Sequence, residues 1–154
     1  MTRRIVDAHH HLWDLDACHY PWLMARGVRR FFGDPTPIQK NFLVDDLRQD
    51  AADYALEASV HIQVGVAPGE ELKETEWLER TANEHGLPTA IVAFCELDRP
   101  DAMSVVEAHR AASPRLRGIR QIVGRSDEED AKTGTAALLS NTRFKEHLQA
   151  IGEL

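Results

Sequence analysis

Four strand-then-helix units in succession predict an α/β fold built on a parallel sheet. Short apolar or β-branched runs alternate with longer stretches of helical periodicity, and parallel neighbours require a crossover of that kind. Glycine, proline or a capping side chain punctuates most junctions. A closed (β/α)₈ barrel takes about 250 residues, so the 154 residues here, read as one domain over 1–154, supply roughly half of one.

Residues 4–11 (Arg-Ile-Val-Asp-Ala-His-His-His) read as a strand that turns polar at its C-terminal end. A loop from about 12 to 41 follows, long enough that a function is expected of it. Its aromatics, Trp13, Tyr20, Trp22, Phe31 and Phe32, argue that it packs. Leu43, Leu47, Ala51 and Ala55 recur every four residues and predict a helix over 43–55. Residues 58–64 read as the second strand. A helix is predicted over 70–85, with Leu72, Leu78 and Ala82 inward and Gly86-Leu87-Pro88 as its stop. The apolar run 89–95 is a third strand of the type buried on both faces. Pro100 opens a helix to about Ala112, and 116–123 form the fourth strand. A polar loop containing Asp127-Glu128-Glu129-Asp130 precedes a last helix capped by Asn141, with Phe144, Leu148 and Ile151 on one face.

Composition narrows the function. A net charge of -7 offers no basic face to nucleic acid, although a local arginine cluster can still hold a small anion. No apolar run reaches the roughly 18 residues of a membrane-spanning helix, and no signal-type apolar stretch follows Met1-Thr2-Arg3-Arg4. Cys18 and Cys95 form neither a C-x-x-C nor a metal spacing. Two free thiols in a reducing cytoplasm are expected. His19, His85, His109 and His147 fall on a loop or on helices and are read as surface residues, as are Arg115 and Arg117.

The chemistry gathers where the first strand ends. Side chains alternate along a strand, which puts Asp7, His9 and His11 on one face and His10 on the other. Two imidazoles on one face can chelate a divalent cation, zinc foremost. Strand C-termini are where barrel enzymes carry their chemistry. Asp7, two residues deeper, is placed to orient an imidazole. A His-x-His pair alone is a weak signal. His61 and Gln63 share a face near the end of strand two, and lining a site or being satisfied in the core are both open readings. Arg120 is expected to grip a carboxylate or lactone oxygen. Trp13, Tyr20 and Trp22 either wall a ring-shaped substrate or pack the loop on itself.

Ile5-Val6-Asp7-Ala8-His9-His10-His11-Leu12-Trp13-Asp14 resembles the opening strand of the lactonase-like branch of the amidohydrolase superfamily. That branch includes sugar-lactone hydrolases similar to fuconolactonase and the pyrone-dicarboxylate lactonase. Tyr20-Pro21-Trp22-Leu23, Val60-His61-Ile62-Gln63, Glu74-Thr75-Glu76-Trp77-Leu78 and Leu116-Arg117-Gly118-Ile119-Arg120 resemble later family segments, in matching order. The resemblance spans nearly the whole chain but only the N-terminal half of the family fold. It implies a partial (β/α)₈ TIM barrel of about four βα units, with 12–41 as an active-site-type loop. It implies a hydrolase acting on a lactone or other cyclic ester and a small carboxylate-bearing substrate, while charge and hydropathy argue against a nucleic-acid or membrane partner. It also implies His9 and His11 as ligands of a divalent metal, zinc among the candidates.

In that family the remaining histidines and the general-base aspartate come from later strands, so no catalytic residue is assigned within this chain. A catalytic zinc keeps three protein ligands; two histidines alone are expected to bind metal weakly and turn over little. Three accounts fit half a barrel: a truncated reading frame, which is the expectation here, a half-barrel completed by a second copy or a complementing fragment, or an autonomous flavodoxin-like sheet. No Gly-rich phosphate loop follows strand one to support a flavodoxin-type function. The rival function is a non-catalytic remnant or a small-ligand binding module.

Overall fold

The computed structural model describes residues 2–30, 32–124 and 127–153. Four strands, β1 (Arg3–His10), β2 (Tyr54–Ile62), β3 (Ala90–Ala93) and β4 (Leu116–Ile119), form one parallel sheet in the order β1-β2-β3-β4. A flavodoxin-like sheet reverses its growth after the first strand. This one adds each strand beside the last, which is the arc of a barrel. The fold is α/β, half of a (β/α)₈ barrel, and the order of the strands sets aside the flavodoxin-like account.

Six helices accompany the sheet among the described residues: α1 (Pro21–Met24), α2 (Val44–Asp50), α3 (Glu71–His85), α4 (Ala102–Ala112), α5 (Asp127–Thr133) and α6 (Thr142–Gly152). α2 is shorter than its four-residue repeat predicts. Tyr54 and Leu56 pair with Arg3 and Ile5 of β1, so ladder formation claims the residues that propensity assigns to the helix. Its buried side chains are Val44 and Leu47, whereas Leu43 precedes the helix and is 37% exposed. Asp46 accepts the Leu43 N–H at 2.8 Å and satisfies one of the donors that a helix start leaves free.

α3 ends as its sequence indicates: Gly86 takes a left-handed φ of 78°, a conformation that costs glycine nothing. Its buried face includes Glu71, Glu74 and Thr75 beside Trp77, Leu78 and Ala82, while Leu72 is half-buried. The acidic run expected in a loop instead opens α5, where Glu128 and Lys132 pair at 2.8 Å across one turn. Asn141 caps α6 by accepting the Phe144 N–H at 3.0 Å; Phe144 is buried and Leu148 exposed.

His109 is a further correction. It is fully buried on α4, where burial pushes its pKa down. Nε2 lies 3.0 Å from the Phe94 carbonyl and must carry the proton, so Nδ1 accepts from the Thr75 hydroxyl at 2.8 Å. Partners on α3 and at the end of β3 offset the cost of burying the ring.

The main core lies between the sheet, α2, α3 and the long loop, with Leu12, Tyr20, Leu23, Leu78 and Ile91 fully buried. A second cluster joins α4 to α6 through Val106, Leu138 and Phe144. The loop after β1 is therefore packed. Trp13 and Phe42 exchange backbone hydrogen bonds of 3.0 and 2.9 Å and stack their rings 5.3 Å apart. Phe32 is exposed, and Phe31 lies outside the described residues. Cys18 and Cys95 are free and buried in separate clusters, and burial raises each thiol to about 11. Among the described residues no helix is long and apolar enough to cross a membrane.

Candidate functional site

The end of β1 departs from simple alternation. Asp7 pairs with Ser59 and His10 with His61, so Ala8 and His9 together stand opposite Val60 alone. That extra residue is a β-bulge, which re-aims the side chains around it. The Asp7 carboxylate holds the bulge by accepting the His9 backbone N–H at 3.0 Å. Asp7 lines a groove of about 430 Å³ together with His10 and His11, and its charge acts on the His10 ring.

The His9 and His11 rings sit side by side, their centroids 5.2 Å apart and their planes nearly perpendicular. His11 Nδ1 lies 2.7 Å from the Ile62 carbonyl at the end of β2. A carbonyl only accepts, so Nδ1 carries the proton and Nε2 is left with its lone pair. Burial lowers the His11 pKa, opposed by the Ile62 bond and reinforced by the charges of His9 and Arg120. The ring is thus held neutral, the form a metal requires. Among the described residues no three His, Cys, Asp or Glu side chains converge as a metal site. His9 and His11 bring two imidazoles together, short of the three protein donors that a catalytic zinc keeps.

His10 Nε2 shares a 3.0 Å hydrogen bond with the Ser59 hydroxyl, and burial depresses the ring's pKa to about 4. His61 is fully buried, 5.8 Å from the His10 ring and 6.5 Å from that of His11. Its Nδ1 accepts the Leu12 N–H at 3.2 Å, so Nε2 carries the proton, and that atom has no partner among the described residues. Burial holds this ring well below the usual histidine range. Gln63 is buried too, with Oε1 unpartnered.

Arg120 follows β4, donating its backbone N–H to the Ala93 carbonyl at 2.8 Å. Its guanidinium has no hydrogen bond or ion pair among the described residues, and its charge reaches His11. Trp22 is half-buried at the exit of β2: Nε1 donates to the Val64 carbonyl at 2.7 Å, and a Cβ at Gly65 would meet the indole at 3.4 Å. Trp13 donates to the Lys40 carbonyl and lines the groove that holds Asp7 and His10. Tyr20 is entirely buried beside Glu74 and Cys18, and so presents no surface to a ligand.

Glu74 is missed by the sequence reading. Its carboxyl is almost fully buried and is raised to about 7 by that burial, against the pull of the Val64 N–H at 3.3 Å and the Tyr20 hydroxyl. The signal was present: Glu74 precedes Leu78 and Ala82 at the same four-residue spacing.

No protein-family model matches the chain. It is 39% identical over 117 residues to the uncharacterized protein y4mH of Sinorhizobium fredii, a match covering 76% of this chain and 39% of that protein. Two crystal structures of an amidohydrolase from Burkholderia multivorans, one with bound zinc and one with bound HEPES, align with TM-scores of 0.62 and 0.61 at 23% and 22% identity. Each alignment covers 96% of this chain and 44% of the neighbour. The chain spans less than half the length of these proteins. At such identity the structural likeness is one of fold: four βα units out of a longer chain.

Proposed function

We propose that the chain forms the N-terminal half of a (β/α)₈ hydrolase of the amidohydrolase superfamily, acting on a lactone or other cyclic ester of a small carboxylate. The observation that carries this reading is the His9–His11 pair, with the His11 tautomer set by Ile62 so that Nε2 remains free. The zinc in one Burkholderia structure supports a divalent metal there. Such a metal, when bound, supplies Lewis acidity and a water whose pKa is lowered towards ~7. His9 and His11 hold it, the Ile62 carbonyl orients His11, and Arg120 draws an acyl or carboxylate oxygen towards the pair. The third ligand and the general base belong to the other half of such a barrel, which would pair with the edges of β1 and β4. Two buried free thiols fit a reducing cytoplasm.

The rival reading, a non-catalytic ligand-binding module, draws on the same count of only two donors among the described residues. Calorimetric zinc titration tests the ligands. The chain alone is expected to bind zinc weakly, and more tightly when the C-terminal part of the Sinorhizobium relative is supplied in trans. His9→Ala with His11→Ala is expected to abolish both. Undiminished zinc uptake by that double variant would remove the hydrolase reading. Zinc uptake by the pair without hydrolysis across a lactone panel favours the binding module.

A further inference from the structure

We infer that His61 is a positioning residue for the candidate metal pair: its ring ends the β1–β2 ladder and thereby fixes the strand exit from which His11 presents Nε2. This rests on the reading of His9 and His11 as metal ligands, and it assigns the buried ring beside His11.

The pairing of β1 with β2 ends where His10 stands opposite His61. In a parallel ladder a residue bonds to the two that flank its partner, and the next residue to do so lies two positions on. One more rung would therefore join the Leu12 N–H to the Ile62 carbonyl. Side chains take both groups instead. His61 Nδ1 accepts the Leu12 N–H at 3.2 Å, and His11 Nδ1 donates to the Ile62 carbonyl at 2.7 Å. The Val64 N–H, which the same rung would have used, goes to Glu74 at 3.3 Å. The strands thus part by a crossed exchange in which each supplies one imidazole.

This exchange makes His11 depend on His61. Leu12 is fully buried, so its N–H needs an acceptor inside the protein. Without the His61 ring, the acceptor next in line along the strand is the Ile62 carbonyl, the group that sets the His11 tautomer. Extending the ladder to it draws the backbone at His11 towards β2 and disturbs the bond that leaves Nε2 free. The cost of the ring points the same way. His61 is fully buried, and its Nε2–H meets no acceptor among the described residues. An apolar side chain would be buried there without that penalty. What an apolar side chain lacks is the acceptor for Leu12.

The test is NMR on the full chain without metal, at about pH 8, where imidazoles are neutral. In wild type the ring nitrogen shifts are expected to show His11 protonated on Nδ1 and His61 on Nε2, with a Leu12 amide that exchanges slowly. In His61→Leu, His11 should move to the Nε2–H tautomer that free histidine favours. Zinc affinity, titrated separately, should fall about tenfold or more, the range for lost outer-shell support. His61→Asn, whose side-chain oxygen takes the place of Nδ1, should restore both. A merely structural His61 would lower the melting temperature of the Leu variant and leave the tautomer alone. An unchanged His11 tautomer in folded His61→Leu overturns the inference. So does loss of the Nδ1–H tautomer in His61→Asn, which decides the matter where the Leu variant does not fold. A fast-exchanging Leu12 amide in wild type overturns it without any variant. Zinc uptake indifferent to His9→Ala with His11→Ala defeats the metal reading and leaves the tautomer result standing; a His11 tautomer indifferent to His61 defeats the positioning role alone.

Discussion

Glu74 shows how one buried residue ties stability to pH. Its carboxyl titrates near 7 in the folded chain against an ordinary value of 4.5. Between those values the folded state keeps a proton that the unfolded chain has released, so this group's contribution falls as pH rises through the window and is constant above it. The full change is on the order of 3 kcal/mol. The depressed histidines, His10, His11, His61 and His109, act in the opposite sense, because below about 6.5 the unfolded chain takes up protons that they refuse. Comparison with Glu74→Gln isolates the carboxyl. Thermal melts at pH 5 and pH 7.5 should show wild type losing ground to the variant as pH rises; parallel behaviour of the two proteins refutes the burial argument.

The element that decides the site is the bulge in β1. There the Asp7 carboxylate secures the turn of the backbone by accepting the His9 N–H, and the His9 and His11 rings sit side by side. Asp7→Ala leaves the His9 N–H without its acceptor and frees the bulge. Zinc affinity is expected to fall about tenfold or more, in the range for lost outer-shell support, with helical circular dichroism unchanged. Zinc binding at wild-type strength would show that Asp7 gives the pair no support. The bulge is not legible in Ile-Val-Asp-Ala-His-His-His, because nothing local marks which residue is the extra one; it arises from pairing with Ser59 and His61, some fifty positions away.

At the scale of these four units taken alone, the expected outcome is association. β1 and β4 are the edges of a parallel sheet, and Val6 on β1 is 61% exposed. Unprotected apolar edges template further pairing. Light scattering on a sizing column should show a mass that rises with concentration, and Val6→Lys should shift it towards the single chain, as inward charges do on natural edges. A wild-type mass that stays monomeric at every concentration would mean that the edges are protected in solution.

The alternation of strand and helix, the Gly86 stop, the Asn141 cap and the position of His9 and His11 at a strand end were all legible in the sequence. Each depends on periodicity or on the chemistry of one or two neighbouring residues. The inward turn of His109 and Glu74, the burial of Tyr20, the early end of α2 and the bulge that sets the Asp7 carboxylate on the His9 N–H were decided by the tertiary structure. In each of those cases a partner distant in the chain, the Phe94 carbonyl, the Val64 amide, the packed core, β1 or β2, supplies the hydrogen bond or contact that outweighs the local preference.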